Sequence, residues 1–205
     1  MIDSKIAVVI PTLNEADNIS ELIKSMQEII SSELLSIFIV DDNSTDDTAE
    51  ISRDLDAQYH NVNVHVRKDE IGIGSAVLFG LRLALSKPDI DLFVTIDADL
   101  SHNPEELPSM IQDFEKKNLD ILIGSRYLKN SKIVNWQKRR ILFSNLGNFL
   151  ARTLFKYSIK DYTNGYRIYR NEFVKKVIEY DQINSGFIYL TEILLIALKY
   201  DFKIS

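Results

Sequence analysis

The chain has 205 residues, of which 45% are hydrophobic, and a formal net charge of −6 at neutral pH. That length and apolar content suit one domain with a sizeable core. The absence of cysteine excludes disulfides, thiolate metal sites and cysteine nucleophiles. The acidic balance gives no reason to expect a nucleic-acid partner, and no apolar run approaches the roughly 20 residues of a membrane span.

Short apolar runs alternate with amphipathic stretches along the chain, which predicts an α/β fold. We predict strands at 6–10, 37–40, 62–66, 92–96 and 120–123, then a helix at 138–156, a short strand at 166–169 and a last helix at 189–200. Helices between the first five strands imply a mostly parallel central sheet with right-handed crossovers and helices on its faces. We expect Asn14 or Asp17 to cap the first helix, and Thr45, Asp46 and Asp47 to open the second with acids in its first turn.

Two carboxylates follow the apolar run at 92–96, where Asp97 and Asp99 flank Ala98. Open α/β sheets place their ligands at the carboxyl ends of the strands. Two acids this close repel each other unless a cation neutralises them, and hard oxygen ligands suit Mg²⁺ or Mn²⁺. A lone D-x-D pair is also typical of a solvated turn, so its interpretation depends on the surrounding motifs.

Two further polar tracts follow predicted strands, P-T-L-N-E at 11–15 and D-D-N-S-T-D-D-T at 41–48. Each alone is typical of a helix-capping turn. Together with Asp97 and Asp99 they predict one acidic rim at the carboxyl edge of the sheet. The sequence has no phosphate-cradling lysine loop, and Gly72-x-Gly74 lacks the third glycine of a dinucleotide fingerprint. A sugar nucleotide therefore fits the pattern better than a P-loop nucleotide or NAD.

Positive charge is concentrated between residues 126 and 160, where nine Lys/Arg residues occur and no acid. Such a block in an acidic chain predicts a local anion site. Apolar residues are interleaved with the basic ones, which suits a surface lying on anionic lipid headgroups, and residues 128–137 are the better candidate for it. The alternative is that the apolar residues form the core face of the helix predicted at 138–156.

The order of these motifs resembles that of family 2 glycosyltransferases of the GT-A fold. The strings are V-V-I-P-T-L-N-E, V-D-D-N-S-T-D-D-T, G-I-G-S-A, D-A-D-L-S-H-N-P-E, G-S-R-Y and T-N-G-Y-R-I-Y. Within that family the chain most resembles the dolichol-phosphate (polyprenol-phosphate) mannose synthases. The resemblance implies one Rossmann-like GT-A domain over 1–205, with a nucleotide-sugar-binding half at 1–125 and an acceptor-binding half at 126–205.

The resemblance also assigns roles by position. Donor-nucleotide contacts fall on the following residues: Pro11, Leu13, Glu15, Val40, Asp42, Asp97, Ala98, Asp99 and Arg126. Asp97 and Asp99 would hold the Mg²⁺ or Mn²⁺ that bridges the diphosphate, and Arg126 would act with them in catalysis. Arg126, Arg140 and Ser144 would place the acceptor phosphate. Two positions depart from the family pattern, with Ile71 in place of a basic residue and Leu13 in place of an aromatic one, which leaves the donor base open.

The residue chemistry agrees with sugar transfer to a lipid phosphate. The nucleophile would be a phosphate oxygen that is ionised at neutral pH, so no strong general base is needed. Guanidinium groups bind such an anion with paired hydrogen bonds, and the resemblance implies inversion at the anomeric carbon in one displacement. We expect His102 to lie beside a helix cap rather than on a metal, and Glu192 to be a donor-site or structural group.

The resulting hypothesis is a peripheral enzyme at the cytoplasmic face of a membrane that transfers a hexose, mannose from GDP-mannose, to dolichyl or polyprenyl phosphate. The alternatives are a UDP-glucose-dependent polyprenyl-phosphate glucosyltransferase, another family 2 transferase acting on a glycan, and a non-catalytic sugar-nucleotide-binding module. Retention of Asp97, Asp99 and Arg126 counts against the module. Residues 203–205 read as the start of a strand, so we expect the C-terminus to be truncated and consider a separate anchor subunit or segment.

Overall fold

The structure is a computed structural model that describes residues 2–69, 72–124, 163–180 and 183–205. Its strands are β1 (Ile6–Thr12), β2 (Leu35–Asp41), β3 (Val62–Val66), β4 (Leu92–Thr95), β5 (Ile121–Ile123) and β6 (Arg167–Arg170). Its helices are α1 (Ala16–Ile29), α2 (Thr48–Tyr59), α3 (Ile73–Leu85), α4 (Leu107–Lys116), α5 (Asn171–Ile178) and α6 (Tyr189–Lys199), and a 3₁₀ turn covers Pro104–Glu106. The helix predicted at 138–156 lies outside the described residues.

The six strands form one sheet in the order β3-β2-β1-β4-β6-β5. The first four in that order are parallel, with Thr12 opposite Asp41 and Val9 opposite Thr95. Strand β6 is antiparallel to both of its neighbours, and Arg167 stands opposite Thr95. The mostly parallel sheet expected from the sequence is confirmed, and the described carboxyl ends of β1, β2 and β4 meet at one edge of it.

Helices cover both faces of the sheet, because alternate strand residues are apolar on both sides. On one face Ile6, Val8 and Ile10 pack with α1, α2 and α4. On the other face Ala7 and Val9 pack with α3, α5 and α6. Each fully buried aliphatic side chain of this kind contributes about 1.5–3 kcal/mol relative to an exposed one, so the two cores fix the sheet firmly beneath its loops.

The first helix confirms the predicted apolar face and corrects the predicted cap. Its buried residues are Ile19, Leu22, Ile23 and Met26. Neither Asn14 nor Asp17 caps it, because α1 begins at Ala16 after Glu15, which makes no side-chain capping bond. Asn14 instead has a left-handed backbone with φ of 57°. The cap comes from another loop, where Asp46 Oδ2 accepts from the Ala16 N–H at 3.1 Å.

Two other boundaries differ from the sequence-based expectation. Helix α2 begins at Thr48 rather than at Thr45. The Asp46 side chain accepts from the Thr48 N–H at 3.0 Å, so Asp46 belongs to the turn before the helix. Helix α5 was not predicted, although Phe173, Val174 and Val177 give it a buried face. Residue Ile204 forms a parallel bridge with Ile121, as the strand-like sequence at 203–205 suggested. Across the described ranges, no helix has the length and apolar character needed to cross a bilayer.

Candidate active site

A cavity of about 430 Å³ opens at the carboxyl ends of β1, β2 and β4. Its lining residues come from loops that are distant in sequence: Pro11, Thr12, Leu13, Glu15, Asp42, Gly72, Ile73, Asp97, Ala98, Asp99, Gly186 and Phe187. Three separate acidic loops contribute to this lining. The acidic rim predicted from the sequence is therefore present, and it borders a single concave site.

Asp97 and Asp99 lie in the turn that follows β4, and both side chains are half-buried. Between them Ala98 is only 3% exposed, so it holds the turn against the core. Asp99 Oδ1 accepts from the Ser101 N–H at 3.0 Å, while Leu100 takes a left-handed φ of 54°. The 3₁₀ turn then starts at Asn103, whose Oδ1 accepts from the Glu105 N–H at 3.0 Å. The local turn therefore holds the Asp99 carboxylate, and both Asp97 and Asp99 line the cavity.

Glu15 brings a third carboxylate to the cavity. Burial raises the pKa of Glu15 above its ordinary value, and the negative charges of Asp99 and Asp46 raise it further, against a hydrogen bond from Asn18 Nδ2 at 2.9 Å. The Glu15 N–H donates to Thr48 Oγ1 at 2.8 Å, which fixes the backbone there. The acid rim therefore carries mutual repulsion, which a bound cation would relieve.

The loops after β1 and β2 hold each other in place. Asn14 donates its N–H to Ser44 Oγ at 2.8 Å and accepts from the Thr45 N–H at 2.8 Å. Asp41 is fully buried and accepts from Thr12 Oγ1 at 2.9 Å and from the Ser44 N–H at 2.9 Å. Asp41 is thus a structural group of the loop pair, and Asp42 is the acid of this tract that reaches the cavity.

Asp42 is held by a buried arginine that sequence reasoning did not single out. Its Oδ1 accepts from Arg67 Nε at 2.8 Å and from the Nη2 of the same guanidinium, and its Oδ2 accepts from the Gly72 N–H at 2.7 Å. Arg67 Nη1 also donates to Ser75 Oγ at 3.0 Å. The network connects the ends of β2 and β3 to the start of α3, so Asp42 enters the cavity as part of a neutralised pair.

The two glycines at 72 and 74 serve close packing between backbones. Gly72 has φ of 145°, which favours glycine, and a Cβ there would come within 2.6 Å of the Ser185 carbonyl oxygen. A Cβ on Gly74 would collide with the Asn184 carbonyl oxygen, and the Gly74 N–H donates to Ser185 O at 2.7 Å. The loop before α6 therefore packs directly against the start of α3. This close packing accounts for both glycines, so they need not be explained by dinucleotide binding.

Glu192 supports that same loop from α6. Its Oε2 accepts from the Asn184 N–H at 2.6 Å, and Asn184 Oδ1 accepts from the Gly186 N–H at 2.8 Å. Gly186 and the exposed Phe187 then form one wall of the cavity. Of the two roles expected for Glu192, the structure supports the structural one.

His102 lies next to the helix start, as expected. It is 8% exposed and directly precedes Asn103, the cap of the 3₁₀ turn. Its ring packs against Tyr166 with 5.5 Å between ring centroids. Burial raises the pKa of Tyr166 well above its ordinary value, and the charge of Glu106 adds to this.

A divalent cation fits the donor atoms at the end of β4. Within the described ranges no three His, Cys, Asp or Glu side chains stand together as a ligand group. Asp97 and Asp99 supply hard carboxylate oxygens, and Mg²⁺ typically takes one or two carboxylates and fills its other positions with substrate phosphates and water. A Cβ on Gly165 would lie 2.8 Å from Asp97 Oδ1, so backbone lies directly against that carboxylate and limits its movement.

The sequence matches the profile of Glycosyl transferase family 2 over residues 7–178. The chain belongs to that family. This membership confirms the resemblance drawn from the motifs.

Two curated relatives are similar over most of the chain. A protein of Pyrococcus furiosus named dolichol-phosphate mannosyltransferase is 38% identical over 194 residues, which are 93% of this chain and 52% of that protein. A protein of Mycolicibacterium smegmatis named polyprenol monophosphomannose synthase is 36% identical over 171 residues, 83% of this chain and 63% of that protein. The chain thus spans between about half and just under two thirds of the length of these family 2 relatives.

Solved structures share the fold at low sequence identity. Glucosyl-3-phosphoglycerate synthase from Mycobacterium tuberculosis, in complex with Mn²⁺, UDP and glucosyl-3-phosphoglycerate, superposes with a TM-score of 0.73 at 17% identity, covering 99% of this chain and 69% of that one. S. aureus TarS 1-349 gives 0.65 at 20% identity, covering 98% and 57%. These likenesses confirm the expected α/β architecture of the GT-A type.

Most of the donor-site residues expected from the family resemblance come together. Those that line the cavity are Pro11, Leu13, Glu15, Asp42, Asp97, Ala98 and Asp99. Val40 is fully buried outside that lining, with its side chain against the Gly80 position, and its donor contact stays a prediction. Arg126, Arg140, Ser144 and Ile71 lie outside the described residues, so their roles also stay predictions.

Several cavity residues were missed by sequence reasoning. They are Thr12, Gly72, Ile73, Gly186 and Phe187, with Arg67 and Gly165 directly behind the lining. The G-I-G string and the exposed aromatic after N-S-G were visible signals. Nothing in the strand pattern indicated that Arg67 turns inward.

Proposed function

We propose that the chain is the catalytic domain of a metal-dependent, inverting family 2 glycosyltransferase that moves a hexose, mannose from GDP-mannose, onto dolichyl or polyprenyl phosphate. The observation that carries the proposal is the meeting of Asp97, Asp99 and Glu15 in one cavity of a family 2 domain. The names of the two curated relatives support mannose as the sugar and a polyprenyl phosphate as the acceptor.

Asp97 and Asp99 would bind Mg²⁺ or Mn²⁺ together with the donor diphosphate. The metal, when bound, supplies charge neutralisation for the departing nucleoside diphosphate. The two carboxylates hold that charge at the end of a rigid strand, because the turn around Ala98 is buried and the Asp99 side chain is hydrogen-bonded to Ser101. Catalysis then depends mainly on positioning and on charge stabilisation.

The rest of the cavity suits the nucleoside part of a donor. Leu13 and Phe187 are 52% and 64% exposed, and both side chains line the cavity. Apolar walls of this kind bind ring faces, while a few polar groups fix orientation. Glu15 and the Asp42–Arg67 pair are the polar groups here, and their carboxylate oxygens can accept from ribose or base donors.

The acceptor side follows from the sequence. An ionised phosphate oxygen attacks the anomeric carbon from the face opposite the diphosphate, so one displacement inverts the configuration. Arg126, Arg140 and Ser144 are proposed to bind and aim that phosphate. We further propose that residues 128–137 contact anionic headgroups at the cytoplasmic face of a membrane, since a polyprenyl acceptor has to be drawn from a bilayer.

A two-donor transfer assay tests the proposal. The protein is incubated with Mn²⁺, polyprenyl phosphate and either labelled GDP-mannose or labelled UDP-glucose, and label is counted in the organic phase. We expect label from GDP-mannose that disappears with EDTA and in Asp99→Ala. If only UDP-glucose gave label, the donor assignment would be wrong. If label were transferred only to a water-soluble glycan, the acceptor assignment would be wrong.

A further inference from the structure

Gly165 packs against the carboxylate of Asp97, and its backbone φ is not positive. A Cβ at Gly165 would lie 2.8 Å from Asp97 Oδ1, 3.2 Å from Oδ2 and 3.3 Å from Cγ. Of the glycines in the described part of the chain, only Gly72 has a positive φ. The φ of Gly165 is therefore not the reason for glycine there, and a side chain at this position would meet Asp97.

Hydrogen bonds to three neighbouring residues hold the backbone around Gly165 in place. Thr95 Oγ1 donates to the Gly165 carbonyl oxygen at 2.6 Å. Asn164 is fully buried, donates from Nδ2 to the Gly124 carbonyl oxygen, and accepts from the Tyr166 N–H at 2.7 Å. The segment is thus hydrogen-bonded to β4 and to the end of β5, and a shift away from Asp97 would have to break these bonds.

Arg167 completes this support from inside the core. It is fully buried, and its Nε and Nη1 donate to the carbonyl oxygens of Asn164 and Leu190 at 2.7 and 2.9 Å. These bonds join the segment to the first turn of α6. A buried arginine of this kind is costly to disturb, because each released carbonyl and the guanidinium would be left without water.

We propose that Gly165 is a positioning residue for Asp97: the bare backbone of residues 164–167 forms a rigid backing that fixes the orientation of the Asp97 carboxylate for a divalent cation. The inference rests on the metal role of Asp97 in the proposed function. A methyl group at 165 would be accommodated by the far end of the Asp97 side chain, which moves more easily than the bonded backbone. The fold would remain and the ligand geometry would change.

Mn²⁺ binding measured by electron paramagnetic resonance, with GDP present, tests this directly without turnover. We expect Gly165→Ala to weaken Mn²⁺ binding by about tenfold, the scale of losses when groups that orient a metal ligand are changed. Gly124→Ala is the matched control, because Gly124 accepts a hydrogen bond from Asn164 and its Cβ would meet Tyr166 and Met110 at 3.2–3.3 Å, with no contact to Asp97 among its nearest atoms. GDP affinity in EDTA and the melting temperature should change little in both variants.

Each outcome decides between the proposals. Wild-type affinity in Gly165→Ala, or equal losses in both glycine variants, would overturn the positioning role and leave the metal site intact. Failure of the wild-type protein to bind Mn²⁺ would overturn the metal site and this inference with it. Thr95→Val provides a second test that leaves Asp97 untouched. It removes the bond to the Gly165 carbonyl oxygen and should weaken Mn²⁺ binding, and an unchanged affinity would count against the backing.

Discussion

Arg67 and Asp42 form a buried ion pair beside the cavity, with Arg67 Nε 2.8 Å from Asp42 Oδ1 and both side chains 6% exposed. The Gly72 N–H completes the pair by donating to the second carboxylate oxygen. The arrangement neutralises one acid of the rim, and Glu15, Asp97 and Asp99 are the other acids among the described residues that line the cavity.

Replacing Arg67 should leave the buried Asp42 carboxylate without its ion-pair partner. We expect Arg67→Met to lower the free energy of unfolding by about 3–5 kcal/mol, because Asp42 would stay buried without its partner. Urea unfolding measures the change. Asp42→Asn added to Arg67→Met should recover part of the loss, and a pair of single variants whose effects simply add would argue that the two side chains do not interact.

Asp99 should be needed for metal-dependent turnover and dispensable for the fold. Asp99→Ala removes one hard oxygen ligand and one bond to the Ser101 N–H. We expect transfer in the presence of Mn²⁺ to fall by at least about 10²-fold while the far-ultraviolet circular dichroism is retained. Asp54→Ala on the exposed face of α2 is the control and should keep full activity. Normal turnover in Asp99→Ala would remove the metal assignment.

Glu192 should behave as a loop support rather than a base. Glu192→Gln keeps an oxygen that can accept from the Asn184 N–H, so its kcat should stay close to the wild-type value. Glu192→Ala loses a bond of about 1–1.4 kcal/mol, which predicts a donor KM raised roughly five- to tenfold. Steady-state kinetics separate the two roles, because loss of a general base would lower kcat by about 10²–10⁴ in both variants.

Glu15 should make the metal-free protein less stable at neutral pH than at mildly acidic pH. Burial and the charges of Asp99 and Asp46 raise its folded-state pKa above the ordinary value of 4.5, so ionised Glu15 opposes folding. The penalty is complete above the folded pKa and is lost as the pH falls through that pKa toward 4.5.

Glu15→Gln should therefore raise the melting temperature at pH 7 by about 1–2 °C after allowance for solvent screening, and by less as the pH falls. Thermal melts in EDTA between neutral and mildly acidic pH measure the difference. If the gain in melting temperature were the same at every pH in this range, it would not come from the Glu15 charge, and the prediction would be wrong.

The convergence of the acidic loops was predictable, whereas the contacts that hold them were not. The run from Leu92 to Thr95 and the alternation with helices were sufficient to place Asp97 and Asp99 at a strand end beside the other acidic tracts. The cap of α1 was mispredicted because Asp46 reaches it across the loop pair, and local pattern carries no signal for a partner some 30 residues away.

Hydrophobic periodicity predicts where strands occur in the sequence, but it does not predict which strands pair in the sheet. Residues 166–169 were expected as a strand, but nothing in their pattern indicated an antiparallel position between β4 and β5. Gly165 was visible only as one letter of a motif. Its contact with Asp97 depends on that unpredicted pairing, so this contact could be found only in the structure.

The position of β6 also bears on the order in which the molecule is built. β5 has β6 as its neighbour in the sheet, and β4 would present its edge to solvent if β6 were missing. During synthesis, β5 is therefore complete about 44 residues, and β4 about 72 residues, before their shared partner β6 begins. An exposed strand edge favours association with other chains. A fragment ending at residue 125 should accordingly aggregate, although it carries Glu15, Asp42, Asp97 and Asp99, the acids that line the cavity among the described residues.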